Sequence, residues 1–289
     1  GGAEGFYRGE VANKIVNDLR AKGNAMKLSD LSRYYAAERE PVSGTYRGFT
    51  LYSSAPPVAG GAQLVGTLNL LEHYKAPKPY TEDAGTLHAM LSAWLLVPSS
   101  RNPIADPGLW PVTVEPITNK DTAQARWHCF DPAKAIGPEV SRGDSLSCAD
   151  RSASRRGAAI EVATQPDTDS LTAAADLDVE EPTHAHAHSS GTTAFTVADA
   201  DGNVVAVTQT LGTWGGNFYV SPGLGFLYND KLGSYGTDPG SYGARLPYAR
   251  HGSTLAPTIA FESAGGAKPR PIAAVGAAGN AWITSAVYQ

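Results

Sequence analysis

Ser190-Gly191-Thr192-Thr193-Ala194-Phe195-Thr196-Val197-Ala198 runs into Asp199-Ala200-Asp201-Gly202-Asn203 and out through Val204-Val205-Ala206-Val207-Thr208-Gln209-Thr210. Two β-prone runs on either side of an Asp-Gly turn predict a β-hairpin. A two-residue loop at Asp201-Gly202 sets Thr192 across from residue 211, and a three-residue loop sets it across from residue 210. Thr210 is therefore a predicted neighbour of Thr192. Threonine favours strands for packing reasons alone; the start of the run is what adds chemistry. Gly191 leaves the carbonyl before Thr192 unhindered, and the Thr192 hydroxyl can attack it. An N→O acyl shift followed by hydrolysis would separate Gly191 from Thr192. Thr192 would then carry a free α-amine, a base with a pKa of about 7.7–8.0, beside its own hydroxyl. That is the arrangement of an activated N-terminal nucleophile.

Working outward, residues 4–40 read as helical, with Ala12, Ile15, Val16 and Leu19 at helical spacing, Gly23 as an end and Ser29-Asp30-Leu31 as the cap of a second short helix. Thr45–Ser54 alternates as a strand does, and Pro56-Pro57 and Gly60-Gly61 break it. Gln63–Tyr74 reads as a buried helix and Thr81–Val97 as a longer one. From about 98 to 182 the periodicity dissolves, and 152–182 reads as an exposed, mobile stretch. The chain closes on an apolar, helix-like run from Trp282 to Tyr288.

The 289 residues provide for one large domain or two small ones with a sizeable core. Hydrophobic content of 42% with 18% charged residues fits a globular protein, and a net charge of −5 argues against a nucleic-acid footprint. No apolar run is long enough to span a bilayer. Cys129 and Cys148 can form one disulfide or none.

These residues together resemble the γ-glutamyltranspeptidases. Gly191–Val197 and Asp201–Leu211 look like the start of that family's small subunit. Gly5-Phe6-Tyr7-Arg8-Gly9, Pro41–Gly48 and Pro56-Pro57-Val58-Ala59-Gly60-Gly61 look like the middle of its large subunit. Ser253–Thr258 and Gly276-Ala277-Ala278-Gly279-Asn280 look like its substrate and oxyanion segments. The resemblance implies an α+β fold, the four-layer αββα sandwich of the N-terminal-nucleophile hydrolases, incomplete here at both ends. It implies that 1–191 is the C-terminal part of a large subunit, with 152–191 a mobile segment before the cut. Residues 192–289 would be the N-terminal part of a small subunit that stays paired with the large one.

By the same resemblance Gly191 and Thr192 flank the cleavage site and Thr192 is the nucleophile. Thr210 steadies it, and backbone N–H groups at Gly279 and Asn280 form the oxyanion hole. Ser253 and Thr254 match hydroxyls that bind a substrate α-carboxylate. The family has Asn where Gly212 stands, Gln or Glu at Lys231 and Asp at Ser234, so three polar contacts to a γ-glutamyl head are lost or inverted in charge. The implied activity is transfer of an acyl group from a γ-glutamyl amide, glutathione among them, to water or an amine. No cofactor is implied, and the family setting is periplasmic or extracellular. One alternative is an acylase of the same fold acting on a non-glutamyl amide. Another is a non-enzymatic, uncleaved relative binding metal through His184, His186 and His188. Those three histidines share one face of an extended segment, but they read better as an exposed tail without the support a metal site needs. Gly212-Thr213-Trp214-Gly215-Gly216 is either a flexible loop at the site or an ordinary glycine turn. Trp127-His128-Cys129-Phe130-Asp131 reads as a packed patch, and Arg151, Arg155 and Arg156 as a solvated cluster.

Overall fold

The computed structural model describes residues 2–75, 77–98, 104–137, 190–262 and 269–289. His184, His186, His188, Cys148, the three arginines 151, 155 and 156 and the stretch 152–182 lie outside them.

A four-stranded antiparallel sheet, in the order β1 (Val42–Tyr46), β2 (Phe49–Ser53), β5 (Thr258–Glu262), β6 (Arg270–Val275), forms the middle of the molecule. Its second layer is the hairpin of β3 (Ser190–Ala198) and β4 (Val204–Thr213). The hairpin packs on β5 and β6, closely enough that a Cβ at Gly276 would sit 2.9 Å from Thr208 Oγ1 and 3.0 Å from the Ala194 methyl. Against the opposite face of the four-stranded sheet lies helix α4 (Gly60–Leu71). Every residue of α4 except Gln63 is buried, as expected of a helix apolar all round. Gly44 makes room for it, because a Cβ there would lie 2.5 Å from Val65 Cγ1. Helices α5 (Ala84–Leu96), α6 (Glu115–Thr118), α7 (Lys120–Trp127) and α8 (Ile283–Tyr288) pack around α4. Their core includes Leu70, Ala89, Met90, Leu96 and Ile117. The described residues thus give the helix, sheet and sheet layers of an α+β sandwich. Helices α1 (Gly2–Tyr7), α2 (Glu10–Ala21) and α3 (Leu28–Ser32) form a separate group, tied to the second half of the chain by Tyr219 and Ser221 hydroxyls donating to Asp18.

Several elements depart from the sequence reading. The helical region 4–40 ends at Ser32, and 33–41 is irregular. Gly23, at φ +87°, does end α2, its N–H donating to Arg20 O. Asp30 caps α3 from within its first turn, its carboxylate accepting from the N–H of the N-cap residue Lys27 at 2.8 Å in a capping box. The single strand expected over 45–54 is a hairpin. Arg47 at φ 49° and Gly48 at φ 87° form a two-residue turn between β1 and β2, and consecutive positive φ values are what such a turn demands. Within the stretch where periodicity dissolved stands α7, whose first N–H groups at Asp121 and Thr122 are taken by Asn119 Oδ1. Trp127 and Phe130 stack at 4.5 Å and pack with Cys129 on the core, the patch read from the sequence. Cys129 is disulfide-bonded. Among the described residues no helix is long and apolar enough to cross a membrane.

Candidate active site

The hairpin takes the three-residue register. Thr192 pairs with Thr210 and Ala198 with Val204, around a loop in which Asp199 Oδ1 accepts from Asp201 N and Asn203 N. Gly202 stands at φ +84°, the left-handed position such a loop requires. Thr192 Oγ1 then lies 2.9 Å from Thr210 Oγ1. Thr192 is only 8% exposed.

One step beyond this pair the ladder slips. Ser190 pairs with Thr213, so Leu211 and Gly212 together face Gly191. This is a β-bulge, which bends a strand and re-aims its groups. Gly212 sits at φ +110° and its N–H donates to Thr210 Oγ1 at 3.0 Å. Gly191 is forced to be glycine by the same crossing: a Cβ there would be 2.0 Å from Thr213 O. Position 191 is thus a strand–bulge contact with no room for a side chain. Thr210 Oγ1 accepts from an amide and meets the Thr192 hydroxyl, and as a rotor with its own proton it can hold the Thr192 oxygen before and after that oxygen loses its proton.

The turn carrying Gly279 and Asn280 lies beside β3. Gly279 is at φ 132° and Asn280 at φ 51°. Asn is among the few non-glycine residues that tolerate this region. Thr254 Oγ1 donates to Asn280 O at 2.7 Å and Thr284 Oγ1 to Thr254 O at 3.0 Å. The two segments expected to share a site are therefore bonded to each other. Thr254 spends its hydroxyl proton on that link. Ser253 is held by its backbone, its carbonyl accepting from Ala59 N at 2.7 Å, and its hydroxyl accepts only a long 3.4 Å bond from Leu255 N.

Lys231 and Ser234 open and close a 3₁₀ turn, Lys231–Ser234. Its anchor is the preceding residue, Asp230. The Asp230 N–H donates to Leu211 O at 2.9 Å. Its carboxylate accepts from Thr213 Oγ1 at 2.6 Å and from Thr213 N. Burial pushes that carboxyl up, and the Thr213 donors outweigh it, so its pKa lies below the usual range. Asp230 escaped the sequence reading. It occupies the room of a residue-212 side chain, and only the conjunction of a bare Gly212 with an acid ahead of Lys231 hinted at it. Gly212-Thr213-Trp214-Gly215-Gly216 leaves β4 as a tight turn, Gly216 N donating to Thr213 O at 3.0 Å, with Trp214 and Phe218 exposed at its tip.

Comparison with known proteins follows the same line. The family model for gamma-glutamyltranspeptidase matches residues 1–289. The glutathione hydrolase proenzyme of Escherichia coli strain K12 is 29% identical over 269 residues, covering 89% of this chain and 40% of the relative. That of Bacillus subtilis strain 168 is 26% identical, covering 100% of this chain and 44% of its own length. The acylase ACY 1 proenzyme of Pseudomonas sp. strain V22 is 27% identical over 90% of this chain and 39% of its own. The chain thus spans about two fifths of the curated relatives it matches. Among solved structures, cephalosporin acylase from Bacillus halodurans superposes with a TM-score of 0.71 at 20% identity, over 99% of this chain and 43% of that one. The fold is that of the N-terminal-nucleophile hydrolases.

Proposed function

The chain belongs to the γ-glutamyltranspeptidase family, and from that premise we propose that it is the nucleophile-bearing part of a self-cleaving acyl-transfer enzyme. The observation that carries this reading is the Thr192–Thr210 hydroxyl pair at 2.9 Å, set beside the bulge at Leu211–Gly212 that faces Gly191. In maturation Thr192 Oγ attacks the Gly191 carbonyl. The peptide becomes an ester on Oγ, and water hydrolyses it, leaving 1–191 with a new carboxylate and 192–289 with a free Thr192 amine. In turnover that amine takes the proton of Thr192 Oγ as Oγ attacks the substrate's amide carbonyl. The N–H groups of Gly279 and Asn280 stabilise the oxyanion, and the amine passes its proton to the leaving nitrogen. An acyl ester remains on Thr192, and water or an acceptor amine releases the acyl group.

For the donor, two readings stand. A γ-glutamyl amide is favoured by the family and by Ser253, whose hydroxyl has a proton to give a carboxylate. A non-glutamyl amide is favoured by Gly212, which offers no side chain, by Lys231 and Ser234 in place of acids or amides, and by the acylase relatives. Thr254, committed to Asn280 O, gives a carboxylate less than the sequence implied.

Intact mass of the full-length protein tests the nucleophile. Two chains meeting at Gly191|Thr192 in the parent, and one uncut, inactive chain in Thr192→Ala, are expected. An uncut parent ends this reading in favour of a non-enzymatic relative, and a Thr192→Ala variant that still turns over removes Thr192 as the nucleophile. Rates on γ-glutamyl anilide against other acyl anilides then decide the donor.

A further inference from the structure

Asp230 has no part in the chemistry described so far, yet it holds the chain on both sides of Gly212. Leu211 C=O and Gly212 N–H belong to one peptide plane, and Gly212 C=O and Thr213 N–H to the next. The Asp230 N–H donates to Leu211 O at 2.9 Å, and its carboxylate accepts from Thr213 N at 3.2 Å and Thr213 Oγ1 at 2.6 Å. Both planes that meet at Gly212 are therefore fixed by one residue. The first of them aims Gly212 N–H at Thr210 Oγ1, 3.0 Å away, and Thr210 Oγ1 meets Thr192 Oγ1 at 2.9 Å. A bond into Leu211 O also polarises that amide and makes its N–H the stronger donor. The same carboxylate dictates residue 212. A Cβ on Gly212 would lie 1.5 Å from Asp230 Oδ1 and 2.6 Å from its Cγ, so a side chain at 212 and this carboxylate exclude each other.

We infer that Asp230 is a positioning residue for the nucleophile, clamping the bulge at Gly212 so that the Gly212 N–H holds Thr210 and Thr210 holds Thr192. This rests on the reading of Thr192 as nucleophile. Asp230 touches neither the reacting atoms nor the substrate; it acts through two peptide planes. It also accounts for a bare glycine at 212 in a strand that otherwise carries side chains throughout.

The test uses the full-length protein and an acyl anilide that the parent hydrolyses. Asp230→Ala is expected to slow cleavage at Gly191–Thr192 and, in the processed enzyme, to lower kcat about ten- to hundredfold with KM little changed, the share of a charge-assisted bond. Asp230→Asn keeps a carbonyl acceptor for Thr213 and is expected to recover most of the loss. Gly212→Ala is expected to be defective alone and partly restored when Asp230→Ala removes the colliding carboxylate. Should Asp230→Ala not fold, Thr213→Ala, which strips a donor from the same carboxylate, is expected to lower kcat in the same sense by a smaller factor. A parent-like kcat in Asp230→Ala or Thr213→Ala overturns the inference. So does a loss carried by KM alone, Asp230→Asn no better than Ala, or no restoration in the double variant. Thr192→Ala run in parallel separates the failures. If it cleaves, the nucleophile reading falls; if it is inert while Asp230→Ala matches the parent, only the role of Asp230 falls.

Discussion

At the scale of single residues the site is a short relay of neutral groups: Gly212 N–H, Thr210 Oγ1, Thr192 Oγ1. Thr208 shows what a strand hydroxyl costs without such a partner, since its buried Oγ1 has none among the described residues. Thr210 is different because the bulge hands it an amide. Thr210→Val keeps the β-branched shape and deletes the relay, so processing and kcat are expected to fall about tenfold or more for the lost hydrogen bond. Thr210→Ser is expected to retain most of both. A Thr210→Val enzyme that matures and turns over like the parent would show that Thr210 is only packing. The Thr192–Thr210 pair was legible from the sequence because a turn of known residues fixes a register by counting. What counting left open, residue 210 or 211, was decided by Gly202 taking the left-handed position of a three-residue loop. Asp230 was not legible, since its importance comes from a loop returning across the end of β4, and nothing in local spacing encodes a return.

At the scale of elements, α4 bears most on the site. Its first turn touches the 253–255 segment: a Cβ on Gly60 would be 2.3 Å from Leu255 O and 2.8 Å from Thr254 O. A Cβ on Gly61 would be 2.2 Å from Ser54 O. The two glycines that read as a break in the sequence are instead the start of the helix, and they let it approach the backbone that carries Ser253 and Thr254. Gly60→Ala adds one methyl where backbone cannot yield, and is expected to lower stability by about 1–3 kcal/mol, the range for overpacking. Because Thr254 is bonded to Asn280 O, substrate affinity should fall with it. Urea denaturation and KM on the same variant check both; an unchanged KM would mean that the 253–255 segment is set from the 280 side alone. Long periodic elements such as α4 and α5 were legible, their apolar content being sufficient. The β1–β2 turn and α7 were not. Arg47-Gly48 offers one glycine where an Asn or Asp would have marked the turn, and α7 is eight residues long with its cap, Asn119, as its main local signal.

At the scale of the whole molecule, the proposed cut at Gly191|Thr192 divides the helical layer and the four-stranded sheet. Strands β1 and β2 and helix α4 belong to one product; β3 from Thr192 on, β4 to β6 and α8 belong to the other. Yet β2 pairs with β5 over five residues, Ser54 Oγ donates to Leu255 O, and Thr258 Oγ1 to Ser53 Oγ. The deepest link is ionic. Asp106, 2% exposed, accepts from Arg39 Nη2 at 2.8 Å and from Arg250 N at 2.9 Å, with the Arg250 guanidinium 3.8 Å away and its face over Tyr35. Asp106 and Arg39 lie on one product and Arg250 on the other. Burial raises the Asp106 carboxyl, but the Arg250 and Gly108 N–H groups and Arg39 outweigh it and hold its pKa below the ordinary range. A carboxyl depressed in the folded state contributes stability that is full above the unfolded value, about 3.9. That contribution fades as pH falls through the lower folded value. Asp106→Asn leaves Arg39 facing a neutral amide and is expected to cost about 3 kcal/mol at neutral pH, the penalty for breaking a buried pair. In the cleaved protein that loss should appear as easier separation of the two chains, read by size-exclusion chromatography across a urea series. The gap between parent and variant should be constant from neutral pH down to about pH 4 and close below it. A gap that persists unchanged well below that pH would mean that Asp106 stabilises through its hydrogen-bonding shape rather than its charge.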